Sequence, residues 1–329
     1  MHAALDLDTA ATATGYRFDD APLEIDGMNK DQERRWKDQE RASQAERKKL
    51  LDDTHDDIVA LLRRAKREIA LTLASAPYDY QQWRLNALNL EVERLLGIFG
   101  DQAGDVLSKA AGEAWAGGIA AIDKPFTAAG IEMVLPVIDS TQLQAMRTFM
   151  IDRIKDVGVA AAQKIKSEIG LAMIGVQDIS QTIDKVADIM GESSRSRVTT
   201  IVGDNLSRAW ATASFDRAMQ SVAAGVEMEK IWRRSGKIHS RLAHDLTDGV
   251  RKPIREPFMI NGHKIMHPKD PKAPIEESIN CGCVCLYRPV GMSSTLADKP
   301  PFSAQELALN PNKAQIEIGR SIREILGKN

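Results

Sequence analysis

What this 329-residue sequence lacks bounds it first. It has three cysteines, an odd and small number for its length. That excludes a disulfide scaffold and implies a reducing compartment. Aromatic residues make up 5% of the chain. No basic segment interleaves them as single-strand nucleic-acid platforms do. Long hydrophobic runs are missing as well: stretches such as "GGIAAI" and "VLPVI" fall far short of the ~20 apolar residues of a membrane helix. The opening "MHAALDLDTAATATGY" has no basic start followed by an apolar core, so no secretory signal and no membrane partner are expected. A net charge of −2 provides no global attraction to nucleic acid.

What is present is unevenly spread. Residues 1–28 carry six acids and one arginine and are expected to form a flexible acidic arm. Residues 29–225 read as a helical domain. Its first part mixes charges of both signs at helical spacing, with an apolar stripe at Ile58, Leu61, Leu62, Ala65 and Ile69. "SAPYDY" breaks that helix. A second helix carries Leu88, Val92, Leu95, Leu96 and Phe99, a small-residue helix follows, and "KPFTAAGIEMVLP" reads as a connector. Leu143, Met146, Met150, Ile154, Val157, Ala161, Ile165 and Ile169 step by three or four and predict one long helix over 141–169. Two more helices are expected near 179–190 and 194–223.

After Gly225 the pattern changes to a compact α+β module at 226–289. "VEMEKIWRRS" alternates like a strand, and Asn261-Gly262 between short apolar runs predicts a two-residue hairpin. The segment 229–272 holds eleven Lys/Arg against five Asp/Glu and is locally basic. Beyond it, 290–329 reads as a linker and a C-terminal docking helix with Ile318, Ile322, Ile325 and Leu326 at helical spacing. Packing of that helix on its own chain is the alternative. The fold class is therefore mainly α: a long helical region, a small α+β module with a hairpin and a cysteine-bearing strand, then a terminal helix.

All three cysteines lie in "EESINCGCVCLYRP", at Cys281, Cys283 and Cys285. A strand over 279–287 would aim all three sulfurs at one face. Cys281, Cys283 and an upstream His244 are the candidate zinc ligands. Burial of the cysteines as small hydrophobes is the competing reading. In "KIHSRLAHDLTDGV" a helix would let Arg241 reach His244 and Asp245, placing a carboxylate beside an imidazole. That arrangement suits either a general base or a structural hydrogen-bond cluster. Trp232 is the candidate core anchor of the module.

Read in order, these residues resemble the C-terminal module of phage head-morphogenesis proteins, the Mu F-like minor head family. The matching features are Trp232, Arg241 with His244, Asp248-Gly249, Glu256-Pro257-Phe258, Pro268-Lys269-Asp270-Pro271, and Ile279-Asn280-Cys281-Gly282-Cys283. Ile201, Arg208 and Ala209 are similar to the family's preceding helix. The resemblance spans roughly 195–287. Gly282 stands where the family usually has arginine, Lys269 where it has glycine, and Asp204-Asn205 where it has Thr-Glu; Cys285 is an extra.

The resemblance implies a portal-associated minor head protein of a tailed double-stranded DNA phage or prophage, without catalytic activity. It would sit in the head interior, and in the host cytoplasm during assembly. Its roles would be head morphogenesis and DNA packaging or ejection, and its partners the portal protein, a capsid or scaffolding protein, and duplex DNA. Zinc would be held by His244, Cys281 and Cys283. Trp232, Arg241, Asp248, Gly249 and Asn280 would form the structural cluster. Two rivals stand beside it. One is a metal-dependent nuclease or hydrolase using His244 and Asp248. The other is a non-catalytic DNA-binding module contacting phosphates through Arg233, Arg234, Arg251 and Lys252.

Overall fold

A capping box starts the first helix. The Asn29 side chain accepts the N–H groups of Asp31 and Gln32, and the Gln32 side chain takes the Asn29 N–H in return. From there helix α1 (Lys30–Ala74) runs for 45 residues. The computed structural model describes residues 28–75, 82–293 and 301–325; the expected acidic arm lies outside them, apart from Met28. The exposed face of α1 carries i,i+4 pairs such as Lys48–Asp52 at 2.6 Å, while Ile58, Leu62, Ala65 and Ile69 are buried.

Helix α2 (Gln82–Ala128) is continuous, where the sequence predicted two helices and a connector beginning at Lys124. Pro125, in the last turn, leaves the Ala121 carbonyl without its helical N–H donor, yet the helix continues for three more residues and the Pro125 carbonyl accepts the Ala129 N–H at 3.0 Å. Helix α3 (Thr141–Met173) buries Leu143, Met150, Ile154, Val157, Ala161, Ile165 and Ile169, as its periodicity requires. Helix α4 (Ile179–Asp188) joins α5 (Ser194–Ala223) through a π-turn containing Gly191. Helices α1, α2, α3 and α5 share one core with Val186 and Met190. Small residues set the α2–α5 spacing: a Cβ on Gly118 would lie 2.5 Å from the Trp210 carbonyl oxygen.

The module follows. Its elements are β1 (Met228–Arg233), α6 (Leu242–Leu246), β2 (Arg251–Pro253), β3 (Phe258–Ile260), β4 (His263–Ile265), α7 (Ile275–Ser278) and β5 (Val284–Pro289). The strands β2-β1-β5 form an antiparallel sheet with Ile231 opposite both Arg251 and Leu286. β3 and β4 form the expected hairpin, with Asn261 at φ 49° and Gly262 at φ 81° in its turn. The cysteine strand is shorter than predicted. β5 begins at Val284, because Asn280 takes a left-handed φ of 53° and breaks the extended run before it. Of the three cysteines only Cys285 lies on a strand, so the expected common face does not form.

The sheet docks on the bundle through a second core. Trp36 of α1, Ile122 and Phe126 of α2 and Ala218 of α5 pack with Met228, Ile254, Tyr287 and Met292. Inside this contact Arg288 makes a bidentate pair with Glu40, at 2.9 and 2.6 Å. The chain then passes through α8 (Ala304–Leu309) and α9 (Pro311–Ile325). The first turns of α9 pack back on the module through Lys313 and Ile316, whereas Ile318 is exposed. The rest of its expected stripe lies outside the residues whose side chains the structure describes. No helix among the described residues is long and apolar enough to cross a membrane.

Candidate metal centre

Two segments far apart in sequence converge inside the module. Helix α6 brings His244, and the stretch before β5 brings Cys281 and Cys283. The His244 Nδ1 lies 3.4 Å from the Cys281 sulfur and 3.6 Å from that of Cys283. All three ligand atoms lie within 4.8 Å of one another. A tetrahedral metal with ordinary Zn–N and Zn–S bonds would set nitrogen and sulfur about 3.5 Å apart. The three side chains are buried, at 2%, 6% and 3% exposure. The group can hold a metal ion.

The histidine is oriented for that role. Its other nitrogen, Nε2, is 2.8 Å from the Glu277 carboxylate on α7. Glu277 in turn accepts the Asn261 side-chain amide at 2.7 Å. A carboxylate on Nε2 fixes the tautomer that leaves the Nδ1 lone pair facing the sulfurs. The Trp232 ring stands edge-on to the imidazole at 5.3 Å and edge-on to Phe258 at 5.3 Å, forming the apolar wall.

The electrostatics follow from this packing. A hydrogen bond from Cys283, with help from His244, holds the Cys281 thiol down at about 4 against its burial. The same bond pushes Cys283 well above the ordinary thiol range, and burial adds to it. Burial opposes charge on His244, but Cys281 and Glu277 outweigh it and hold its pKa raised. One sulfur is therefore poised as a thiolate and the imidazole is held beside it. Cys285 is different: burial pushes it up to about 12, and it takes no part in the group.

Neighbouring residues lock the ligand loop. Arg241 caps α6 with extended backbone and donates to the Ile279 carbonyl at 2.8 Å, tying the helix to the loop. Asn280 gives its N–H to Asp204 of α5 at 2.8 Å and receives Lys237 on its carbonyl at 2.6 Å. Lys269 has φ 67°, so the glycine that the resemblance expects there has a backbone reason. Its buried ammonium pairs with Asp204 and donates to the Ser278 carbonyl at 2.7 Å. Gly282 is needed for close approach, since a Cβ would lie 2.9 Å from that of Ser235. Asp248 is fully buried and accepts the Arg234 N–H at 3.0 Å, and the Gly249 N–H donates to the Trp232 carbonyl at 2.8 Å.

Three expectations need correction. The carboxylate beside the imidazole is Glu277, not Asp245, because Asp245 turns away to accept the Ser240 hydroxyl at 2.7 Å. Arg241 points to a backbone carbonyl rather than to His244 and Asp245. The four cations proposed for DNA do not form one free surface. Arg234 is 8% exposed, pairs with Glu306, and stacks on Phe302 at 4.2 Å. Arg233 lies 3.7 Å from Asp248, Arg251 3.0 Å from Glu229 and Lys252 3.4 Å from Glu256. Glu277 escaped sequence reasoning because it lies 33 positions from His244 with no spacing rule to link them. Asn261 was visible only as a turn residue.

No family model matches the chain, and no curated protein or solved structure is significantly similar to it.

Proposed function

We propose that the chain is a minor head protein of a tailed double-stranded DNA phage or prophage, associated with the portal inside the head. In this reading it is a structural and interaction protein, not an enzyme. The helical bundle supplies shape and partner surface. The module is a rigid knob closed by zinc on His244, Cys281 and Cys283, with Glu277 behind the histidine. The observation that supports it is convergence. Residues that carry the resemblance, from Trp232 through His244 to Cys281 and Cys283, meet in one buried cluster. Burial favours a structural over a catalytic metal, because ligands this enclosed leave substrate no route to the fourth position that three protein ligands keep open. Two thiolates and a neutral imidazole also balance the charge of a divalent zinc, which suits a site shielded from water.

Two measurements test the proposal. Elemental analysis of the purified chain should give one zinc per chain, and His244→Ala or Cys281→Ser should abolish it. Native mass spectrometry with the portal protein of the same phage should give a defined complex. A metal-free wild-type chain would refute the zinc-closed knob, and failure to bind the portal would refute the head assignment.

A further inference from the structure

The module meets the bundle along the free edge of β5. In the order β2-β1-β5 that strand is paired on one side only. Beside it lies a cavity with a volume of about 30 Å³. Its walls include residues 284–287, Glu40, Ser43 and Arg47 of α1, and Ser207 of α5. That is room for about two waters, or for a single small ion. Their spacing puts Glu40, Ser43 and Arg47 on one face of α1, with Ser43 and Arg47 one turn apart.

The charges around this cavity do not balance. Arg47 is half-buried, and burial works against its charge. A guanidinium keeps its proton at any ordinary pH, so that charge needs an answer in the structure. Its hydrogen-bond partner is the Ser207 hydroxyl at 3.1 Å, and among the described residues no carboxylate pairs with it. Glu40 shares the cavity, but its two oxygens accept the bidentate bonds of Arg288. The charges that favour the guanidinium are those of Cys281 and Cys283, and neither sulfur is hydrogen-bonded to it. Zinc between those sulfurs would take their charge up, a step that rests on the zinc-closed knob proposed above. The Ser43 hydroxyl is buried, at 2% exposure, and has no hydrogen-bond partner. Ser207 accepts from Arg47 and keeps its own proton to donate. We infer that the cavity binds a small inorganic anion of the chloride class, held by the Arg47 guanidinium and the Ser43 and Ser207 hydroxyls. The ion supplies the missing counter-charge and joins α1 to α5 where the module docks.

The test uses the full chain in chloride-free gluconate buffer, gluconate being too large for the cavity. Sodium chloride is titrated in at constant ionic strength. Binding is read from the line width of the chloride NMR signal and from the melting temperature. Both should follow one saturating curve, and bromide should displace the bound chloride. Arg47→Met should lose both responses, and Ser43→Ala should weaken the affinity roughly tenfold. Identical melting and unbroadened chloride in the wild type would mean that the cavity holds water alone, which overturns the site. Binding that survives Arg47→Met would place the ion elsewhere, on the metal included, and overturns it equally. Should Arg47→Met fold poorly, Ser43→Ala decides by itself, since an unchanged affinity there would exclude this cavity. Zinc is quantified in the same samples, so that a metal-free chain is told apart from an anion-free one.

Discussion

At the scale of single residues, the three cysteines do two different jobs within five positions. Cys281 and Cys283 face an imidazole, whereas Cys285 pairs in register with Trp232 on the sheet and is pushed towards the neutral thiol by burial. Serine is nearly isosteric with cysteine but binds zinc poorly and prefers water. Cys281→Ser should therefore lower the melting temperature well beyond Cys285→Ser, and chelator should shift the wild type and Cys285→Ser but not Cys281→Ser. Differential scanning fluorimetry with and without chelator reads both effects, and equal shifts for the two variants would remove the inner pair from its role. How much of this was legible in the sequence depends on the range of the signal. His244 and the Cys-x-Cys pair could be named because residue type alone restricts them. Glu277 could not, since only the fold distinguishes it from its exposed neighbour Glu276. The strand was drawn five residues too early because alternation continues through Asn280, whose left-handed backbone is set by bonds to Asp204, Thr200 and Lys237 rather than by local pattern.

At the scale of elements, long-period signals served well. The stripe from Leu143 to Ile169 became α3 because a step of three or four defines a buried face without tertiary help. The C-terminal helix was less legible, because a buried charge network decides where it goes. Glu306 of α8 binds both Arg234 and Lys313, and Lys313 of α9 is fully buried over Phe302 at 5.4 Å. Burial pushes the Glu306 carboxyl up, but Lys313, the Ser303 backbone N–H and Arg234 outweigh it and hold it at about 2, below its ordinary 4.5. A carboxyl depressed in the folded state contributes stability that is full above its unfolded value. That contribution fades as the pH falls from about 4.5 towards 2. Thermal melts across this window should show an acid-driven loss in the wild type. In Glu306→Gln the loss should be shallower, from a lower plateau at neutral pH. Parallel curves would show that Glu306 does not anchor the segment.

At the scale of the whole molecule, the question is what joins knob to rods. The apolar contact of Trp36, Phe126, Met228 and Tyr287 accounts for attachment but not for register, since hydrophobic burial is non-directional. Register is supplied by Arg288 of β5 and Glu40 of α1, 2% and 8% exposed at the side chain and joined by two parallel hydrogen bonds. Such a pair gains little over an apolar replacement, but removing one partner strands a charge in the interior at a cost of about 3–5 kcal/mol. Glu40→Met alone should therefore destabilise the chain by that order in urea unfolding. Adding Arg288→Met should restore most of the loss. Trp36, whose indole nitrogen lies 3.3 Å from Glu40, loses that contact in both variants, so the comparison isolates the ion pair. If the double variant is as unstable as the single one, the pair contributes to attachment itself. If Glu40→Met is silent, the seam is held by its apolar core alone, and the orientation of the module on the bundle must be set elsewhere.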